Sequence, residues 1–435
     1  MRKNKIVLSG IIIAGLAMGG GVLNGTAQAR VINEGIEGPF KTYHPNGKVH
    51  KEGVYIDDEP EGRFMTYYEN GNVQEERNYR DGKDNGPYRL YYENGQLHEE
   101  GFFKEGKKDG LYRIFNENGK PSQEKTFNNE ELEGSFKKYD GNGKLESDIT
   151  FSQGKKNGPY KIYNANGVLK EERNFKDEKL DGRSKVFYES GQVQEETTFR
   201  EGKKNGAFKT YYPNGQLEID GTFKDGAENG LYNVYNQNGH LASTTTFTNG
   251  KKNGPYLIYN ENGKLLEDRN FENDKLEGVF KTYYASGQLQ KEGMYKQDKS
   301  QGVFKLYYES GKLREEKSFK DDKLEGVYKR YSEMGHLDSE TTYKNDKSSG
   351  PLKIYYRNGQ VKQESNSKEG MLEGPYRVYY ENGKLHKEGS YRHDQLDGPF
   401  KVYYENGNLK EEGVCWRGRL EGRPKRYRDD GTLLQ

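Results

Sequence analysis

Seven histidines lie along the 435-residue chain. Imidazole is the side chain most often recruited to hold a metal or to move a proton near neutral pH. His50, His98 and His386 sit at equivalent points of a repeating pattern but in separate copies, His240 and His336 share another point, and His44 and His393 stand alone. Lys, Gln and Asn fill the same points elsewhere. The histidines therefore read as exposed polar substitutions, because a metal or catalytic centre needs ligands that converge. Glu99-Glu100 and Glu411-Glu412 have the composition of an acid–base pair, but adjacent strand residues point to opposite faces and cannot share a substrate. The 56 glycines open no phosphate-binding loop at the head of a helix. Lysines and arginines beside tyrosines suit a single-stranded nucleic acid, yet each basic position is matched by an acidic one, so no one-sign stripe forms and nucleic acid is not expected as a partner. The lone Cys415 excludes an intramolecular disulfide, a cysteine zinc site or an iron–sulfur cluster. No catalytic residue, metal or cofactor is expected, and the chain reads as a non-enzyme.

The elements that carry these residues follow from a period. Gly38, Gly62 and Gly86 begin a series that recurs every 24 residues, without a gap, to Gly422. A second series runs nine residues later, from Gly47 to Gly431. With the first glycine as slot 0 and the second as slot 9, seventeen copies align. Slot 5 is Tyr or Phe in all seventeen, slot 11 is Val or Leu except at Pro121, and slot 8 is Asn in twelve. Asn-Gly between runs of Tyr, Phe, Val and Thr is a strong hairpin signal and predicts a two-residue type I′ turn at slots 8 and 9. That turn sets slot 3 opposite slot 14 and slot 2 opposite slot 15. Slot 3 is mostly Lys or Arg and slot 14 mostly Glu or Asp, as in Lys41 with Glu52 and Lys305 with Glu316. A slot 15 glycine or cation faces a slot 2 aromatic, as Gly413 faces Phe400 and Arg173 faces Tyr160. Slots 2, 4, 6, 11, 15 and 17 then share an apolar, aromatic face, and slots 3, 5, 12, 14 and 16 a charged face with a tyrosine row. Slot 18 to the next slot 0 reads as a polar loop. Cys415, Trp416, Pro424 and Arg428 depart from the pattern and mark an atypical C-terminal cap.

The fold class expected is all-β: an elongated single-layer antiparallel sheet of tandem 24-residue hairpins, about thirty-four strands reaching roughly 160 Å at about 4.8 Å per strand. A composition of 30% hydrophobic and 32% charged residues would suit disorder, but 13% aromatics and the fixed glycine period argue for order.

Residues 1–29 read as a signal peptide. Arg2, Lys3 and Lys5 precede an apolar stretch, Ile6–Leu23, and Ala27-Gln28-Ala29 is a cleavage box, so cleavage is expected after Ala29. Glycines at 10, 15, 19, 20 and 21 weaken the reading of that stretch as a retained span. Residues 30–435 form the repeat array. Without the leader the balance is 67 basic against 69 acidic residues, which attracts neither nucleic acid nor an anionic membrane. Export without disulfides places the chain in a bacterial periplasm, at the outer surface or outside the cell. Membrane association has no span in the mature chain to support it.

Tyr91-Tyr92-Glu93-Asn94-Gly95-Gln96-Leu97 and Tyr379-Tyr380-Glu381-Asn382-Gly383-Lys384-Leu385 resemble the bacterial variant of the MORN repeat. The resemblance covers about residues 35–435. It implies successive hairpins in one antiparallel sheet and a role as an interaction scaffold, in some relatives with lipid association. The same family includes YwqK-type antitoxins of toxin–antitoxin systems.

Two functions follow as expectations. The first is an exported, non-enzymatic scaffold that binds a protein or an envelope polymer through many repeated contacts. The alternative is an antitoxin or immunity protein that neutralises a toxin. The candidate interaction surface is the aromatic face: Phe208, Leu217 and Phe223, with slot 6 tyrosines Tyr188, Tyr212, Tyr284 and Tyr308 along its margin.

Overall fold

A computed structural model describes residues 30–32 and 35–434, with side chains from Glu37 onward. The leader and its cleavage site lie outside the described residues. These fall into two compact units. One takes Leu145 and everything before it together with Phe151–Gly154; the other takes Glu146–Thr150 and everything from Lys155 on. Strands and turns alone build both, and no described helix is long and apolar enough to cross a membrane.

Within each unit, consecutive arms pair antiparallel. In the first, Gly35–Tyr43 pairs with Val49–Ile56, which pairs with Glu59–Tyr67. In the second, Leu289–Lys296 pairs with Lys299–Tyr307, which pairs with Leu313–Lys320. Each repeat supplies two arms. Seven arms are split at the residue before the slot 0 glycine, and Arg30–Ile32 adds a further strand, so 42 segments stand where about thirty-four were expected. The expected pairings are present: Lys41 lies opposite Glu52, Lys305 opposite Glu316, Phe400 opposite Gly413 and Tyr160 opposite Arg173.

Two turns differ from expectation. The slot 8–9 turn is not type I′. Gly47 N donates to His44 O at 2.9 Å and His44 N to Lys48 O at 2.8 Å, with Gly47 at φ +82° and Asn46 outside the left-handed region. This is a three-residue loop: a type I turn closed by a left-handed glycine. The one-residue offset is absorbed by a bulge, so Tyr43 pairs with Val49, and His50 in slot 12 is the extra residue. The two-residue turn with both residues left-handed lies instead at slots 19 and 20, where Asp57 and Asp58 have φ of +48° and +66°. Slot 18 to slot 0 is therefore no loop but the second hairpin of each of the sixteen complete repeats. Slot 0 sits in a bulge: Phe199 pairs with Lys204, but Thr197 with Phe208. Gly206 between them takes φ +116°, which a side chain would rarely accept.

The core of this single layer is a ladder of rings on one face. Slot 2 and slot 17 rings meet edge to face, as in Phe40–Tyr55 at 5.5 Å and Phe280–Tyr295 at 5.5 Å, and the contact passes on to the next repeat through Tyr55–Phe64 and Tyr295–Phe304. Phe304 is 1% exposed. Slot 15 glycines make room for this. A Cβ on Gly53, Gly101, Gly221 or Gly293 would strike the slot 2 ring of the following repeat, and one on Gly389 or Gly413 the ring of its own.

Candidate interaction surface

The aromatic face, the candidate interaction surface read from the sequence, is closed. Phe208 is 8% exposed and packs edge to face on Phe223 at 5.3 Å. Lys204 Nζ lies over both rings, at 4.4 and 5.1 Å, and Leu217 pairs with Tyr211 at half-buried depth. Cations lid the row elsewhere too: Arg77 over Tyr88, Lys252 over Tyr256 and Lys291 over Phe304. Burial lowers the ammonium pKa of Lys291, with the nearby charge of Lys317 adding to it. Slot 13 glutamates share this face and hold the slot 15 cations, as Glu75 holds Arg77 at 2.7 Å. The slot 15 cations expected on this face are thus joined by slot 13 glutamates, which were not assigned to it from the sequence.

Slot 6 departs from its expected role as well. All nine slot 6 tyrosines donate the hydroxyl to the slot 5 carbonyl one repeat on. Tyr188, Tyr212, Tyr284 and Tyr308 reach Tyr211, Tyr235, Tyr307 and Tyr331 in this way at 2.6–2.8 Å. They are ties between repeats. The bulge also moves slot 12 from the charged face to slot 6: His98 packs on Tyr92, His386 on Tyr380 and His50 on His44, with centroids 4.3–4.5 Å apart. His44 Nε2 makes the same slot 5 contact as the tyrosines, to Tyr67 O. No cluster of three or more metal-ligating side chains forms among the described residues. Cys415 is buried in the slot 17 ring row, where burial raises its thiol pKa.

The open surface is the other face, and three lines of side chains cross it. One is the slot 5 tyrosines, whose hydroxyls donate to a slot 14 glutamate of the preceding repeat: Tyr67 to Glu52 at 2.6 Å, Tyr355 to Glu340 at 2.7 Å, Tyr403 to Glu388 at 2.7 Å. Loss of hydration, then the bonded carboxylate, pushes these three phenols up to about 12. Glu52 is held below the usual carboxylate range by its bonds from Lys41 and Tyr67. The second line alternates basic slot 3 with acidic slot 14. A cation reaches acids on both sides: Arg113 lies 3.8 Å from Glu124 and 3.0 Å from Glu100 of the preceding repeat. The third line, slots 1 and 16, was not singled out by sequence, and it carries most of the exposed large apolar side chains. Val279, Val303 and Val327 occupy slot 1 of successive repeats at 57%, 48% and 47% exposure, and Met294, opposite Val279, is also exposed. Val54, Phe102 and Leu111 hold equivalent slots in the first unit. Shallow recesses open here beside Pro87, Arg89, Glu100, Phe102, Leu111 and Arg113, and beside Pro351, Lys353, Glu364, Asn366, Pro375 and Arg377. The signal available in the sequence was Val, Leu or Pro at slot 1 beside an obligatory bulge glycine.

The model of the family described as MORN repeat variant matches fifteen segments of the chain, from residues 36–57 to 396–414; the copies beginning at Gly230 and Gly422 are not among them. A search of the curated proteins gave no match. Among solved structures, the chain is similar to a TcdB2-TccC3-Cdc42 complex at 12% identity and TM-score 0.16. That alignment takes in 91% of this chain and 26% of the other, so the chain spans about a quarter of the length it matches. A Photorhabdus luminescens Tc holotoxin pore carrying a TccC3-D651A mutation follows at 10% identity and TM-score 0.13, with 91% and 30% covered. Scores this low carry no argument about this chain.

Proposed function

The chain belongs to the MORN repeat variant family, and from that premise we propose that it is an exported, non-enzymatic scaffold that binds a protein or envelope polymer through its open face. The observation that carries this reading is the division of labour between faces. Rings, cations and slot 6 hydroxyls close one face, while the other, whose slot 3, 5 and 14 side chains also bridge neighbouring repeats, presents an exposed apolar line at slots 1 and 16 that recurs every 24 residues. A partner meeting several copies at once gains avidity from contacts that are individually weak. The charge on this face alternates at the spacing of adjacent strands, which favours a partner of mixed charge over a polyanion. The leader motif and cleavage box support export to the bacterial periplasm, outer surface or medium. Capture from an envelope extract by the mature chain tests the reading. A partner retained by the chain and lost when exposed valines of slot 1 are replaced supports it; capture of a single toxin through one short stretch of repeats would favour the antitoxin role instead.

A further inference from the structure

Twelve of the slot 8 residues are asparagine followed by glycine. The structure divides them by what their side chains do. In seven, the side chain is held at both ends. The Oδ1 of Asn46, Asn70, Asn118, Asn214, Asn358, Asn382 and Asn406 accepts the slot 10 N–H at 2.8–3.0 Å. The Nδ2 donates to slot 7 of the following repeat, to the carbonyl in six and to Glu405 Oε1 from Asn382. Asn94 is held at Oδ1 alone. In the remaining four, an acidic or amide residue at slot 6 takes over the turn. Asp140, Asn164, Asn236 and Asn260 each accept both the slot 8 and the slot 10 N–H on Oδ1, at 2.8–3.0 Å. The exposed side chains of Asn142, Asn166, Asn238 and Asn262 then make no hydrogen bond among the described residues.

We propose that Asn142, Asn166, Asn238 and Asn262 are sites of spontaneous deamidation, and that the turn-to-turn hydrogen bonds protect the other asparagine–glycine pairs. The backbone nitrogen of the slot 9 glycine forms a bond to the asparagine Cγ, and the Cγ–Nδ2 bond breaks. Ammonia leaves with the proton released by that backbone nitrogen. Water opens the resulting five-membered imide at one carbonyl or the other, giving aspartate or isoaspartate; nothing is oxidised or reduced. Glycine leaves the attacking nitrogen uncrowded. The side chain must swing Cγ toward that nitrogen, which in the seven held asparagines breaks two hydrogen bonds and in the four free ones breaks none. The slot 9 N–H donates to the slot 6 carbonyl in both classes, from Gly47 and from Gly143 alike at 2.9 Å, so that bond does not separate them. Breaking two exposed neutral hydrogen bonds together has the size of about a tenfold change in rate. Each conversion adds a carboxylate to one turn edge, and isoaspartate also lengthens the turn's backbone.

The test is a peptide map by mass spectrometry of the full chain aged at mildly alkaline pH. Asn142, Asn166, Asn238 and Asn262 convert about tenfold faster than the seven held residues, with Asn94 between the groups. Asn118 is the sharp control: slot 6 of its repeat is Asn116, yet its own side chain is held at both ends, so it stays with the slow group. Asn260→Tyr returns the capping role to Asn262 and slows its conversion by a similar factor. In denaturant the twelve rates converge. Equal rates in the native chain, Asn118 joining the fast four, or a spread that persists in denaturant would each overturn the proposal.

Discussion

Replacing Gly293 by Ala tests whether the aromatic face is a closed core. The backbone at Gly293 lies outside the left-handed region, so alanine is conformationally allowed, but its Cβ would stand 2.3 Å from the Phe304 ring. That ring cannot easily give way. Tyr295 and Phe319 lie at 5.6 and 5.0 Å, Lys291 Nζ sits over it at 5.3 Å, and Phe304 is almost wholly buried. Overpacking of this kind costs about 1–3 kcal/mol, and stiffening the unfolded chain returns about 0.4–1 kcal/mol. The expected net loss is about 1–2 kcal/mol, read as a lower midpoint in urea followed by circular dichroism. Gly141→Ala is the matched control, since no atom lies within 4 Å of its Cβ and its φ is not positive; it should be neutral or slightly stabilising. Adding Phe304→Leu to Gly293→Ala should recover part of the loss through a favourable coupling of about 1 kcal/mol. A Gly293→Ala chain as stable as the parent would refute the closed ring row and return the aromatic face to candidacy as the interaction surface.

Two further outcomes follow. Tyr212→Phe removes only the hydroxyl bond to Tyr235 O and should lower stability by about 1 kcal/mol in the same melt, whereas a purely marginal slot 6 would leave it unchanged. Tyr67, Tyr355 and Tyr403 have folded pKa values raised from 10.0 to about 12, so their contribution is complete below pH 10 and is lost as pH rises through 12. Alkaline unfolding tracked against phenolate absorbance should show cooperative loss of strand signal in that window, and a titration completed near 10 with the sheet intact would contradict the slot 5 to slot 14 bonds.

Much of this fold was legible because its constraints repeat seventeen times. The slot 3 to slot 14 charge pairing and the slot 2 to slot 15 ring pairing fixed the register of the long arms, and both hold. The turn was misread because Asn-Gly satisfies two different loops. Pro45 and Pro213 at slot 7 were the available clue, since proline suits the second position of a type I turn. The asparagine is there for hydrogen bonds from turn to turn, which a single hairpin cannot reveal. The second hairpin was hidden because polar pairs such as Asp57-Asp58 and Asp177-Glu178 look like loop residues. Their left-handed backbone is made tolerable by neighbours one repeat away: Lys156 N donates to the Glu178 carboxylate. The slot 6 error has a similar cause. Tyr alternating with Asn and Asp looked like a tolerant margin, whereas tyrosine ties to the next repeat and the short side chains cap their own turn. The open apolar line at slot 1 escaped notice because proline and valine there look like ordinary strand filler.

The division between a closed aromatic face and an open binding face is tested most directly by one paired measurement. Val279→Ser, Val303→Ser and Val327→Ser together alter three neighbouring exposed positions, each expected to change stability by less than about 0.5 kcal/mol. Binding of the captured envelope partner and the urea midpoint are measured on the same preparation. The predicted result is a midpoint close to that of the parent with binding sharply weakened. Undiminished binding by the triple variant, with the midpoint unchanged, would contradict the assignment of this face.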